Sequence, residues 1–189
     1  MAKIFSLDAE VDGLYGRAFA IAATVREDGR EIAAFTGRIA DEHVGDSWVQ
    51  ENVLPALVGM EVTHTSYDEL EEAFWAFWLS THVEGEWGPG PDPQLAVIAH
   101  CGAPVESGLF ARCVMRDEPS RKFKGPMPLH EVGSLLLACG ENPSSVDGYN
   151  KKNGLAVPFE GVAHHPMYDA AAAAVAWEHA MARLAPKAE

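Results

Sequence analysis

Apolar positions along the chain fall into three short runs, a helically spaced stretch, one isolated run and a long alanine-rich segment. Ile4 to Glu10 reads as a strand, with Asp12-Gly13 and Tyr15-Gly16 marking the turn after it. Ala18 to Arg26 is a second run, rich in Ala, Ile and Val. Asp28-Gly29 favours positive backbone φ and predicts a hairpin, from which Glu31 to Ile39 returns as a third strand. The three are expected to be antiparallel neighbours.

Helices are predicted next. Ser47 to Leu57 reads as a short helix that Pro55 should keep from extending. Ser66 and Glu69 have the spacing of a capping box, and Leu70, Phe74, Phe77, Trp78 and Thr81 recur behind them at helical spacing. Trp75 and Trp78 are expected in the core, because aromatic residues at helical spacing pack inward more often than they offer a stacking platform. Gly85 to Pro93 can continue neither a helix nor a central strand. Leu95 to Ala99 is unbroken apolar sequence, the pattern of a buried parallel strand, and Pro104 is placed to start a helix through Leu109, Phe110 and Cys113.

Leu129 to Ala138, with Gly133 inside it, fits either a strand or a helix. Glu141 to Gly154 reads as loop with a short helical turn, and Leu155 to Val162 as strand-like. Pro166 opens a helix to about Leu184, whose run Ala170 to Ala174 combines high helix propensity with a face small enough to lie against a sheet.

A chain of 189 residues with 48% hydrophobic content can build one sizeable core, so a single domain over residues 1–189 is expected. The net charge of -14 argues against wrapping nucleic acid through the whole surface, since that affinity comes from Lys and Arg displacing counterions. Cys101, Cys113 and Cys139 fit neither a disulfide framework nor a structural zinc site, which points to a reducing cytoplasm. The apolar stretch after Met1-Ala2-Lys3 is too short for a signal-peptide core, and no run reaches membrane-span length, so a soluble protein with no membrane partner is expected.

Five residues carry the candidate chemistry. Asp8 and Glu10 form a D-x-E on the first predicted strand, where side chains two apart share a face. Glu106 follows the apolar run that ends at Ala99-His100, and His164 with Asp169 forms an H-x4-D at the start of the last helix. A carboxylate pair such as Asp8 and Glu10 can hold Mg2+ or Mn2+, and two such ions can clamp the attacking and leaving oxygens of a phosphodiester.

The segments Ser6-Leu7-Asp8-Ala9-Glu10, Val97-Ile98-Ala99-His100 leading to Glu106-Ser107-Gly108-Leu109-Phe110, and His164-His165-Pro166-Met167-Tyr168-Asp169 resemble the three motifs of the DEDDh group of 3'-5' exonucleases. The resemblance spans nearly the whole chain. It implies an α/β, ribonuclease H-like fold: a mixed sheet, with a three-stranded antiparallel meander plus parallel strands, flanked by helices. It further implies two divalent cations held by Asp8, Glu10, Glu106 and Asp169, His164 as general base, and the 3' end of single-stranded DNA or RNA, or short oligonucleotides, as substrate. A homodimer is a further expectation.

Two departures stand out. Glu106 replaces the family's usual aspartate, within a His100-to-Glu106 segment one residue longer than usual and with Cys101 where asparagine is common. His165 doubles His164. A catalytically weak or inactive domain that binds nucleic acid or protein is therefore the alternative reading.

For the substrate path, Arg112, Arg116, Arg121, Lys122, Lys124, Lys151 and Lys152 make up half of the 14 basic residues. Such a cluster is either a solvated face or a phosphate track, with Arg121, Lys122 and Lys124 as its candidates. Leu14 and Tyr15 are placed to wedge against a terminal base.

Overall fold

Alternation along the first strand sets the two layers of the core. In the computed structural model, which describes residues 3–86 and 88–185, β1 (Lys3–Val11) pairs antiparallel with β2 (Ala18–Glu27), and β2 with β3 (Arg30–Arg38). On the other side of β1, β4 (Leu95–Ala99) lies parallel to it, and β5 (Leu129–Glu131) parallel to β4. The result is a five-stranded sheet in the order β3-β2-β1-β4-β5, the meander plus parallel strands that were expected.

Helices α1 (Ser47–Asn52), α2 (Tyr67–Leu79), α3 (Val105–Met115), α4 (Glu118–Arg121), α5 (Val132–Ala138), α6 (Val146–Lys152) and α7 (Pro166–Leu184) flank the sheet. Phe5, Leu7 and Ala9 of β1 pack with Phe74 and Trp78 of α2 and Leu109 and Phe110 of α3. Trp75 and Trp78 are buried, as helical spacing predicts. Full burial of one such large side chain contributes roughly 1.5–3 kcal/mol.

The opposite face of β1 meets α7. Ile4 joins a second cluster with Ile98, Ala172, Ala173 and Ala176, and the Ser6 hydroxyl donates to the Ala170 carbonyl at 2.7 Å. Ala20 and Ala22, the β2 partners of Glu10 and Asp8, share this face, and the Ala170–Ala174 run is buried against it. Small residues on both sides let the start of α7 approach the end of β1.

Several predicted segments resolve differently. The stretch from Ser47 breaks at Val53, since Pro55 lacks the N–H that a continuing helix needs, and a 3-10 turn takes over at Leu54–Leu57. Leu129 to Ala138 is strand and helix in succession, β5 passing directly into α5. Glu141 to Gly154 contains the short helix α6. Leu155 to Val162 is not a strand: Leu155 and Val157 pack singly into the second core cluster, so their alternation is satisfied without strand pairing. The capping box at Ser66 is shifted, because the Glu69 carboxylate accepts from the Thr65 N–H and hydroxyl and not from the Ser66 N–H. Met1-Ala2, and Trp87 within the Gly85–Pro93 connection, lie outside the described residues. Among the described residues no helix is long and apolar enough to cross a membrane.

Candidate metal centre

Parallel and antiparallel pairing deliver the candidate acids to the same end of the sheet. Asp8 and Glu10 leave the C-terminal half of β1 on the face covered by α7. Asp169 sits in the first turn of α7 and Glu106 in the first turn of α3, each near a helix N-terminus. All four line one cleft of about 420 Å³ together with His164 and Cys101. Oxygens of Asp8, Glu10 and Asp169 lie within 4.8 Å of one another, close enough to share a cation.

Glu106 is buried, with 3% of its surface exposed. Its Oε1 accepts from the Ala9 N–H at 3.0 Å, whereas its Oε2, also buried, has no hydrogen-bond partner. A buried carboxylate oxygen without a donor is costly unless something positive meets it.

The electrostatics run the same way. Burial, followed by the charges of Glu106, Glu10 and Asp169, holds the Asp8 carboxyl well above the usual carboxylate range. Glu106 is pushed up to about 8, chiefly by burial, with Glu10 and Glu131 adding to it. Asp169 rises to about 7, again mainly through burial, although the His164 N–H that it accepts at 2.7 Å pulls it back. Like charges held this close resist joint ionisation until a cation offsets them. The donor set, all hard oxygens, suits Mg2+ or Mn2+.

The two histidines part company. His164 adopts φ 70 and points Nδ1 at Glu10 Oε1, 3.6 Å away, and this contact raises its pKa despite partial burial. His165 packs its ring 5.0 Å from that of Phe159, with its Nδ1 buried without a partner. Burial lowers its pKa.

Exposed apolar groups lie on two segments, one of them against His164. Leu14 and Tyr15, 60% and 82% exposed, occupy the turn after β1. Trp48, 59% exposed, meets His164 edge-on with ring centroids 6.3 Å apart. The two segments are tied together by Asp12, whose Oδ1 accepts from the N–H groups of Gly45 and Asp46. Sequence reasoning does not single out Trp48; its signal is a large aromatic at the start of a helix too short to bury it.

The basic cluster lies apart from the acidic cleft. Arg121 forks onto Glu72 at 3.0 and 2.7 Å and lies over the Trp75 ring. Arg112 and Arg116 converge with Arg17 on the buried Glu71. Lys122 lies over Phe123 and lines an apolar hollow beside β4 and β5, while Lys124 lies by Trp75 and Arg121. Acids of α2 thus engage Arg112, Arg116 and Arg121, and no Lys or Arg among the described residues lines the acidic cleft.

No protein-family model and no curated protein matches the sequence. Among solved structures, the chain is similar to Exonuclease X in complex with 5' overhanging duplex DNA, with TM-score 0.57 and 16% identity over 95% of this chain and 92% of that one. It is also similar to an SSB/Exonuclease I structure with an inhibitor (TM-score 0.59, 13% identity, 97% of this chain) and to Exonuclease I from Methylocaldum szegediense (TM-score 0.55, 13% identity, 97% of this chain). The chain spans 43% and 41% of those two Exonuclease I chains. The architecture shared with these exonucleases is the ribonuclease H-like fold, and the acidic cleft lies at the C-terminal ends of its β1 and β4.

Proposed function

We propose that this chain is a metal-dependent 3'-5' exonuclease of the DEDDh type, acting on the 3' end of single-stranded DNA or RNA or on short oligonucleotides. One observation carries the reading. Asp8 and Glu10 from β1, Glu106 from α3 and Asp169 from α7 line a single cleft whose mouth holds the His164 imidazole. Similarity in fold to Exonuclease X and Exonuclease I supports it.

Asp8, Glu10, Glu106 and Asp169 are the residues that would hold two divalent cations. Such ions, when bound, lower the pKa of a water and steady the leaving 3' oxygen of a phosphodiester. The protein's own part is to group the carboxylates before any ion arrives and to place a base beside them. With Nδ1 of His164 facing Glu10, Nε2 is the atom left to take the proton of the attacking water, and Glu10 stabilises the imidazolium so formed. Leu14, Tyr15 and Trp48 offer apolar surface to a terminal base.

The test is incubation with 5'-labelled single-stranded DNA and RNA in Mg2+, Mn2+ or chelator. A metal-dependent ladder shortening from the 3' end is expected and also reads out the sugar preference. Binding without shortening would overturn the hydrolase reading and leave a binding domain.

A further inference from the structure

We infer that Glu131, the last residue of β5, is a positioning residue that sets Glu106 in the metal centre. The inference rests on the proposed metal reading of the cleft.

A single carboxylate here takes three backbone donors. Glu131 Oε1 accepts from the N–H of Cys101 at 2.9 Å and of Gly133 at 3.0 Å, and Oε2 accepts from the N–H of Gly102 at 2.8 Å. The Gly133 bond is ordinary N-capping of α5, for which Glu131 is the cap residue. The other two reach back to the loop after β4, and nothing in α5 requires them.

That loop carries Glu106. Cys101 has φ 59, a conformation that costs a non-glycine residue of order 1–3 kcal/mol and persists only where its surroundings dictate it. Two backbone N–H groups held by one carboxylate can offset that cost. Gly102 follows, buried, and a Cβ added there would come within 2.9 Å of the Ala99 Cβ and 3.8 Å of Glu106 Oε2. The Gly102 carbonyl accepts from the Ser107 N–H at 2.9 Å and so fixes the entry to α3. From α3, Glu106 reaches the Ala9 N–H on β1.

The clamp closes on its far side as well. His100 Nε2 donates to the Pro143 carbonyl at 2.9 Å, and a Cβ on Gly133 would meet that same carbonyl oxygen at 2.7 Å. Loop and helix start are therefore seated against one another around Glu131. This arrangement accounts for how a loop one residue longer than the family's, ending in a longer acid, can still present a carboxylate to Asp8.

Mn2+ affinity of the whole chain, measured by calorimetric titration, tests the inference. Glu131→Ala should weaken binding roughly 10–100-fold, the usual loss when a partner holding a metal ligand in place is removed. Glu131→Gln should lose less, because an amide oxygen at the Oε1 position still accepts from Cys101 and Gly133. In a Glu106→Gln background the further loss from Glu131→Ala should shrink to about threefold or less, the sign of one pathway rather than two independent effects. Equal losses for Gln and Ala would leave only the charge of Glu131 and overturn the clamp. Full additivity with Glu106→Gln would overturn the route through Glu106. Unchanged affinity in Glu131→Ala, with wild type binding normally, would overturn the inference alone, whereas a wild type that binds no Mn2+ would overturn the metal reading with it. If Glu131→Ala does not fold, the Gln variant and its double mutant carry the same comparison.

Discussion

Glu106 is locked onto β1 by the bond from the Ala9 N–H to its Oε1, 3.0 Å long, so the acid from α3 stands beside the residue that separates Asp8 from Glu10. The bond is made by the terminal carboxylate of the glutamate, one methylene farther out than an aspartate's. Shortening it to aspartate, the residue common in the resembling family, would leave the Ala9 N–H unpaired in a buried position, which costs about 1–3 kcal/mol. Glu106→Asp is therefore expected to lower exonuclease activity and Mn2+ affinity by about tenfold. Rates and calorimetric titrations of the two proteins check this, and a gain of activity would mean that the glutamate is a compromise rather than a fitted ligand.

The metal-free protein should be less stable at high pH than near pH 5. Asp8, Glu106 (about 8) and Asp169 (about 7) all have folded-state pKa values above the ordinary carboxylate range. Their stabilising contribution is thus complete below about pH 4 and disappears as pH rises through those raised values. His164, also raised, acts in the same direction, while the lowered His165 opposes it in part. A tenfold difference in proton affinity between the folded and unfolded chain is worth about 1.4 kcal/mol, or about 2–4 °C for each kcal/mol in a domain of this size. Melting curves in chelator should show Tm falling between pH 5.5 and 8.5, and Mn2+ added at pH 8.5 should restore it. A Tm that rises across that window would contradict the crowded-carboxylate account.

Asp8→Asn separates catalysis from folding. Removing one of the repelling charges should raise Tm in chelator at pH 8.5 by a few degrees and flatten its pH dependence, while abolishing cleavage and most of the Mn2+ response. A variant that melts earlier than wild type in chelator would mean that Asp8 is a structural acid.

Which acids gather in the candidate cleft was partly legible in the sequence, and what was not has a common cause. Asp8 and Glu10 share a strand face by spacing alone, and His164 and Asp169 belong to one helix entry, so local pattern suffices to group each pair. The β-meander and the long C-terminal helix were legible for the same reason. Glu131 was not, because its partners Cys101 and Gly102 lie across a parallel strand pairing that no local pattern announces. Nor was the pairing of Arg121 with Glu72 or of Arg112 and Arg116 with Glu71. A sequence displays the sign of a charge but not the opposite charge that a fold sets beside it, and it leaves open whether the cluster is a solvated face or a phosphate track; Arg112, Arg116 and Arg121 pair with acids of α2. Leu155 to Val162 misled in the opposite sense, its alternation serving two separate core contacts.

Trp48 should govern substrate affinity rather than chemistry. Its ring is exposed beside His164 and held by the Asp12-bound loop before α1, and base stacking on an aromatic side chain contributes about 1–3 kcal/mol. Trp48→Ala is expected to raise KM for a single-stranded substrate about tenfold and to leave kcat within about twofold, with Trp48→Phe largely restoring KM. A drop in kcat at unchanged KM would place Trp48 behind His164 rather than under the substrate.

The two adjacent histidines allow the sharpest test of the proposed base. His164 faces Glu10 from the mouth of the cleft, that carboxylate raises its pKa, and an imidazole can accept and return a proton. His165 is packed against Phe159, its pKa lowered by burial, and does not line the cleft. Loss of a general base typically costs about 10²–10⁴-fold. His164→Ala should therefore reduce kcat by about a hundredfold or more at saturating Mn2+ while Mn2+ still binds, and should remove the acidic limb of the pH–rate profile, where protonation of the imidazole limits the wild type. His165→Ala should keep that limb and most of the rate but lower Tm, since it empties a packed position beside Phe159. The limb is the deciding readout: a structural loss lowers the rate at every pH alike, whereas loss of the base changes the shape of the curve. If both variants retain the wild-type limb, another group takes the proton.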